Sequence, residues 1–230
     1  MNDSKLGIIG GMGPEASAYY YTQLIHRTNA KKDQDHFFTI VDSNAKIPDR
    51  TQAIVYGKES PLPYLLEAIE RMNQVGIDQG FITCLTSHYF FKDLSEKADF
   101  KLYNAIEETY LYLKNKNIKK VGLLATTGTI NLRLFHEIFK DIELVIPSDN
   151  DQAFLVMDAI YNPEHGIKSG HTQGLCMIQL IQAGQKLINE GAQAMIGGCT
   201  EISMVCDQNT FSVEMVDPMI VVIDHILKQG

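Results

Sequence analysis

The sequence predicts an α/β protein made of two similar halves, each a parallel sheet flanked by helices, with the functional site in the cleft between them. Three observations lead there. Short runs rich in Val, Ile, Leu and Phe alternate with longer helical patterns, which is the rhythm of βαβ units. LGIIGGMGP, beginning at Leu6, is echoed by VGLLATTGT, beginning at Val121. GFITCLTSH, around Cys84, is echoed by MIGGCTEIS, around Cys199, and the offset is the same: Gly7 to Gly122 and Cys84 to Cys199 are both 115 positions.

The first buried strand is expected over Lys5–Gly10, followed by a helix over 15–29. Pro14 suits that helix's first turn, where a missing N–H costs little. Further strands are expected at 36–41, 80–83, 121–125, 144–147 and 194–197. Helical patterns fall at 63–75, 105–116, 130–140, 149–160, 172–190 and 218–228. Residues 42–63 carry no clear period and are expected to form a long loop, a kind of connection that is usually functional or disordered. The halves divide into 1–104, completed by the C-terminal segment 212–230, and 105–211.

Composition narrows the function classes. Hydrophobic residues at 45% and charged residues at 21% are ordinary for a globular chain with a sizeable core. A formal charge of −8 with scattered basic residues argues against a nucleic-acid partner, which needs clustered Lys and Arg. No apolar stretch approaches the ~18 residues of a membrane span, and no secretory signal pattern opens the chain. The four cysteines, Cys84, Cys176, Cys199 and Cys206, show neither C-x-x-C nor zinc spacing. Free thiols in a cytoplasmic protein are therefore expected, with no metal site and no membrane partner.

Gly11-Met12-Gly13-Pro14-Glu15-Ala16 fits the G-x-G-x-x-A form of a dinucleotide fingerprint. The acidic residue such a site needs lies roughly 20 positions on, whereas Asp42 follows Gly13 by 29. The glycines instead predict an exposed helix N-terminus able to bind any anion, a carboxylate included. Cys84 and Cys199 each follow a buried strand at the carboxyl end of a sheet, where ligands of open parallel sheets bind. Thr86 and Ser87 follow one and Thr200 the other, hydroxyls able to hydrogen-bond a thiolate or a carboxylate. Cys176 and Cys206 lack this setting and read as structural.

Two thiols in duplicated settings suggest one base on each side of a tetrahedral carbon, each serving as general base in one direction and general acid in the other. Thiols suit the task because their ordinary pKa of ~8.5 is easily moved by neighbours. His88, four residues after Cys84, and Glu201, two after Cys199, are placed to tune a cysteine or to meet a substrate ammonium; each reads equally as a satisfied polar group at a helix start. Arg50 and Lys168 are the candidate cations for a carboxylate, with solvated loop charges the plainer reading. Asp49 is expected either to orient Arg50 or to cap a turn.

Taken together, GIIGGMGPEA at the start, NAKIPDRT at 44–51, TCLTSH at 83–88, GLLATTGTI at 122–130, GCTEIS at 198–203 and VDPM at 216–219 resemble the aspartate/glutamate racemase family, the cofactor-independent two-cysteine amino-acid racemases. The resemblance runs through nearly the whole chain. It implies two α/β domains around an acidic amino acid, whose α-proton Cys84 and Cys199 exchange without pyridoxal phosphate or any other cofactor. It further implies Arg50, with Lys168, on the substrate's side-chain carboxylate. Met12, Gly13, Thr86, Ser87, Thr127 and Thr200 would line the pocket, Glu201 would stand beside them, and the protein would be a homodimer.

One departure stands out. The family usually reads Cys-Asn-Thr at the first cysteine, and here the segment is Cys84-Leu85-Thr86. Leu85 has no amide to offer, and losing hydrogen bonds to a charged group costs ~1.5–3 kcal/mol. Two alternatives to an aspartate or glutamate racemase follow: an isomerase or epimerase for another carboxylated substrate, and a catalytically weakened protein that binds acidic ligands.

Overall fold

The computed structural model of the protein describes residues 4–229. The chain divides into two compact units. The first runs to Glu108 and includes the C-terminal stretch from Met219; the second runs from Thr109 to Pro218.

In the first unit β1 (Lys5–Gly10) leads into α1 (Pro14–Arg27), and β2 (Phe38–Ser43) follows. Then come α2 (Arg50–Tyr56), α3 (Leu62–Val75) and β3 (Gln79–Ile82). A 3-10 turn (Thr86–Phe90), α4 (Phe91–Ser95) and the two-residue β4 (Lys101–Leu102) close the sheet, and α5 (Ala105–Asn115) carries the chain into the second unit. The strand order is β2-β1-β3-β4 and every pairing is parallel. Ile9, Leu65, Ile69, Met72 and Ile82 form its core, with Met12 and Cys84 at the edge of the same cluster.

The second unit repeats the plan. β5 (Lys120–Ala125), α6 (Thr127–Asn131) and β6 (Glu143–Val145) are followed by a single turn, α7 (Asp149–Asp151), a π-helical segment (Gln152–Met157) and α8 (Asp158–Tyr161). After these come α9 (Leu175–Asn189), β7 (Ala194–Gly198), α10 (Thr200–Val205) and β8 (Glu214–Val216), and α11 (Pro218–Gln229) ends the chain. The order β6-β5-β7-β8 matches that of the first sheet, again all parallel. Even the register repeats: Leu6 pairs with Gln79 in one sheet, and 115 positions later in both strands Val121 pairs with Ala194. The α/β class and the two sheets flanked by helices are as the sequence predicts.

Several local expectations are corrected. The long loop at 42–63 contains α2, which begins at an Asp49 cap accepting from the Gln52 N–H and ends at Gly57 in the left-handed region. The helix expected at 130–140 does not form beyond Asn131, because Arg133 takes a positive φ of 54° and the chain continues in turns. The helix at 172–190 starts only at Leu175, since Gly174 adopts φ 80°, ψ −130°, a conformation that belongs to glycine. The short edge strands β4 and β8 are additional. Because β8 pairs with β7, residues up to Pro218 stay with the second unit; the boundary expected at 212 moves accordingly. Among the described residues no helix is long and apolar enough to cross a membrane.

Candidate active site

In the first unit, the ends of β1, β2 and β3 carry the expected residues to one edge of the sheet. Gly11 turns the chain at φ +88°, and a Cβ there would lie 2.3 Å from the carbonyl carbon of Asn44, so only glycine fits against the segment after β2. The turn is held by Ser17 of α1, whose Oγ accepts the Gly11 N–H at 2.8 Å, donates to the Gly13 carbonyl at 3.0 Å and lies 3.2 Å from Thr83 Oγ1. Gly13 is the N-cap of α1. The Gly11 N–H is thus spent inside the protein, ahead of the α1 N-terminus that begins at Gly13.

Met12 gathers two other expected residues. Its carbonyl accepts from Arg50 Nη2 at 2.9 Å, and its sulfur accepts from Ser87 Oγ at 3.4 Å. Arg50, in the first turn of α2, is only 8% exposed, and its Nη1 donates to the Pro48 carbonyl at 3.1 Å. Asp49 caps the helix, accepting from the Gln52 N–H. Cys84 follows β3 with Thr86 and Ser87 buried beside it in the 3-10 turn. Leu85 is buried as well.

His88 fixes the main chain at the first cysteine. Ala105 N–H donates to its Nε2 at 3.1 Å, so that nitrogen is the acceptor, and Nδ1 donates to the Cys84 carbonyl at 3.1 Å. Burial pushes the imidazole down to about 4, and it is neutral. It resolves as the satisfied polar group of the two readings.

The second unit assembles a charged counterpart. Cys199 ends β7 as the N-cap of α10, and its Sγ donates to Glu201 Oε2 at 2.9 Å. Thr200 Oγ1 donates to the same oxygen at 3.1 Å, and Lys168 Nζ sits 2.5 Å from Oε1. Glu201 is 5% exposed. Burial alone would raise its carboxyl, but the Lys168 charge and the bonds from Cys199 and Lys168 bring it below the ordinary value, so it is ionised. Burial, then the Glu201 charge, push the Cys199 thiol well up despite Lys168, so the thiol keeps its proton. Lys168 also lies over the Tyr161 ring, 5.5 Å from its centroid.

Thr127, at the head of α6, stands at the same sheet edge, because Ala125 and Gly198 are paired neighbours. Gln152, which the sequence did not single out, donates through Nε2 to the Ala125 carbonyl at 2.9 Å and to Thr127 Oγ1 at 3.3 Å. Its Oε1 is buried without a partner among the described residues, an arrangement that typically costs ~1–3 kcal/mol. Asp158 was also missed: its carboxylate takes bonds from Asn162, His165 and Gln179, which tie down the loop carrying Lys168. Cys176 and Cys206 lie in the second core, and burial, then Asp207, push Cys206 up to about 12.

Residues 9–226, nearly the whole chain, match the Asp/Glu/hydantoin racemase family. The chain belongs to that family. Among solved structures, the aspartate racemase of Picrophilus torridus is 25% identical and superposes with a TM-score of 0.84, over 98% of this chain and 94% of that one. The glutamate racemase of Francisella tularensis, solved with D-glutamate, shares the fold at 17% identity and a TM-score of 0.68, over 100% of this chain and 81% of that one. An uncharacterized protein in the pnlA 3' region of Pectobacterium carotovorum is 32% identical over 121 residues, 52% of this chain and 77% of that one. Membership of that family implies an amino-acid substrate.

Proposed function

We propose that the protein racemises an acidic amino acid, aspartate first and glutamate second, by moving the α-proton between Cys84 and Cys199 without pyridoxal phosphate. The observation that carries this reading is the hydrogen-bonded chain Cys199–Glu201–Lys168, whose cysteine and glutamate are buried. A thiol held protonated against an ionised carboxylate is a general acid at neutral pH, and the carboxylate is an acceptor when the thiol must serve as base. In one direction the Cys84 thiolate takes the α-proton, leaving the bonding pair on the α-carbon. The Cys199 thiol then gives its proton to the opposite face and is left as thiolate. The reverse reaction exchanges the two roles.

Arg50 is assigned to the substrate's side-chain carboxylate, with Met12, Gly13, Thr86, Ser87, Thr127 and Thr200 as lining. The 2.5 Å ion pair supports moving Lys168 from the substrate carboxylate to Glu201 as its counter-ion. Similarity to the Picrophilus aspartate racemase supports aspartate before glutamate. Free thiols suit a reducing, cytoplasmic setting, and a homodimer completes the proposal.

The test is proton NMR of L- and D-aspartate and glutamate in heavy water without added cofactor, coupled to chiral chromatography. Loss of the α-proton signal with appearance of the other enantiomer is expected. Cys84→Ala and Cys199→Ala should each abolish racemisation; turnover retained in both would overturn the two-base mechanism. Leu85, buried where the family usually has Asn, favours a second reading as an isomerase for a different acid. A substrate panel that includes carboxylates without an α-amino group, and a hydantoin, separates the two. Binding of acidic amino acids without exchange would identify a ligand-binding protein.

A further inference from the structure

The side chain of Gln152 makes one bond that serves the fold and a second that does not. Its amide nitrogen reaches the Ala125 carbonyl, which fixes the carboxamide with Nε2 toward the end of β5 and Oε1 away from it. The bond to the buried Ala125 carbonyl serves the fold, while Oε1 is left buried without a donor among the described residues. What the nitrogen adds is its second bond, to Thr127 Oγ1.

That bond has a directional consequence. A hydroxyl that accepts from an amide N–H must point its own proton elsewhere. Thr126 and Thr129 on either side turn their hydroxyls toward each other, 3.2 Å apart, and Thr126 caps α6. Thr127 is half-buried, its backbone N–H faces the Met157 sulfur at 3.3 Å, and Gln152 is its side-chain partner among the described residues. Its hydroxyl proton therefore points away from Gln152 and is available to another acceptor. The π-helical segment beginning at Gln152 brings the carboxamide to this point, and such segments are frequent at functional sites.

We infer that Gln152 is a positioning residue that sets Thr127 as a hydrogen-bond donor to a carboxylate oxygen of the bound amino acid. This rests on the racemase reading. It concerns substrate affinity and leaves the proton transfer to the cysteines.

The experiment is a double-mutant cycle of Gln152→Met, Thr127→Val and the combined variant. Turnover and calorimetric binding are measured with aspartate and glutamate, and the apo melting temperature with no ligand. Each single variant should raise KM and Kd roughly tenfold with kcat changed less than threefold, and the double variant should be no worse than either single one. Gln152→Met should leave the apo melting temperature nearly unchanged, since it removes the unpartnered oxygen together with the donor to the Ala125 carbonyl. Thr127→Ser should keep wild-type affinity. Equal affinity in wild type and Gln152→Met, or effects that multiply in the double variant, overturn the inference. A lowered apo melting temperature with unchanged KM also overturns it, as the mark of a structural role. If the wild type binds these acids without turning them over, the racemase reading fails while the binding cycle still decides the role of Gln152. A wild type that binds neither overturns both.

Discussion

A thiol next to a carboxylate holds its proton more firmly than one in water, because losing it places two negative charges side by side in a medium that screens them poorly. Cys199 and Glu201 stand in that relation, and Lys168 keeps the carboxylate ionised. Glu201→Gln removes the neighbouring charge and offers the thiolate an amide donor instead. The pKa of Cys199 should therefore fall. Each unit of fall raises the thiolate fraction roughly tenfold below the pKa. The expected outcome is faster iodoacetamide labelling of Cys199 in the variant than in the wild type at pH 7.5, read by peptide mass spectrometry. On the proposed two-base mechanism, turnover should fall as well, because the thiol loses its proton acceptor. An unchanged labelling rate would show that Glu201 does not control the thiol. Sequence alone left Glu201 balanced between a tuning group and a helix-start polar group. The deciding partner, Lys168, lies 33 positions away on a loop fixed by Asp158, and no local pattern announces it.

At the scale of the element, the β1–α1 turn shows why Gly11 is not equivalent to other glycines with positive φ. Gly57 has φ +64° and open space around its missing Cβ, whereas Gly11 has φ +88° and the Asn44 backbone in the way. Gly57→Ala should cost about 1 kcal/mol, the ordinary strain of an alanine in the left-handed region. Gly11→Ala adds displacement of the segment after β2 and should lose at least ~3 kcal/mol, with a matching fall in urea midpoint. Equal losses at both positions would sink this account. The turn itself was legible from Gly-Met-Gly-Pro, because proline at a first helical turn and glycine before it have direct steric causes. The role of Ser17 was not, since a serine on a helix face looks like any polar residue until the strand end beside it is known. The same holds for β4 and β8, two and three residues long, which carry no period to detect. The loss of the helix expected at 130–140 traces to one residue, Arg133, whose positive φ no propensity foretells.

For the whole molecule, duplication was legible because it preserves strand register, and a shared offset of 115 positions is visible in the letters themselves. What the halves do not share is the environment of their cysteines: a neutral imidazole and hydroxyls in one, a carboxylate and an ammonium in the other. The imidazole has a consequence for stability. His88 sits between the Cys84 carbonyl and the Ala105 N–H, at the start of the helix leading out of the first unit. Protonation would turn Nε2 into a donor facing another donor, and burial disfavours the charge besides. Its folded-state pKa of about 4 lies below the unfolded value of 6.5. The unfolded chain therefore takes up a proton that the folded chain refuses as pH drops below 6.5, and stability falls until the folded form also titrates near 4. The contribution is fully present above pH 6.5, and about 3 kcal/mol is lost by pH 4, a large share of a typical domain's stability. Carboxylates such as Asp158 and Glu214, held below their ordinary values by their partners, lose their contribution at lower pH and are common to variant and wild type. His88→Gln should be the less stable protein at pH 7.5, with two buried bonds disturbed. The gap to wild type should then narrow by about 3 kcal/mol between pH 7 and pH 4 in urea titrations followed by circular dichroism. A gap that stays constant over that range would mean the imidazole is not the group that couples acid to unfolding.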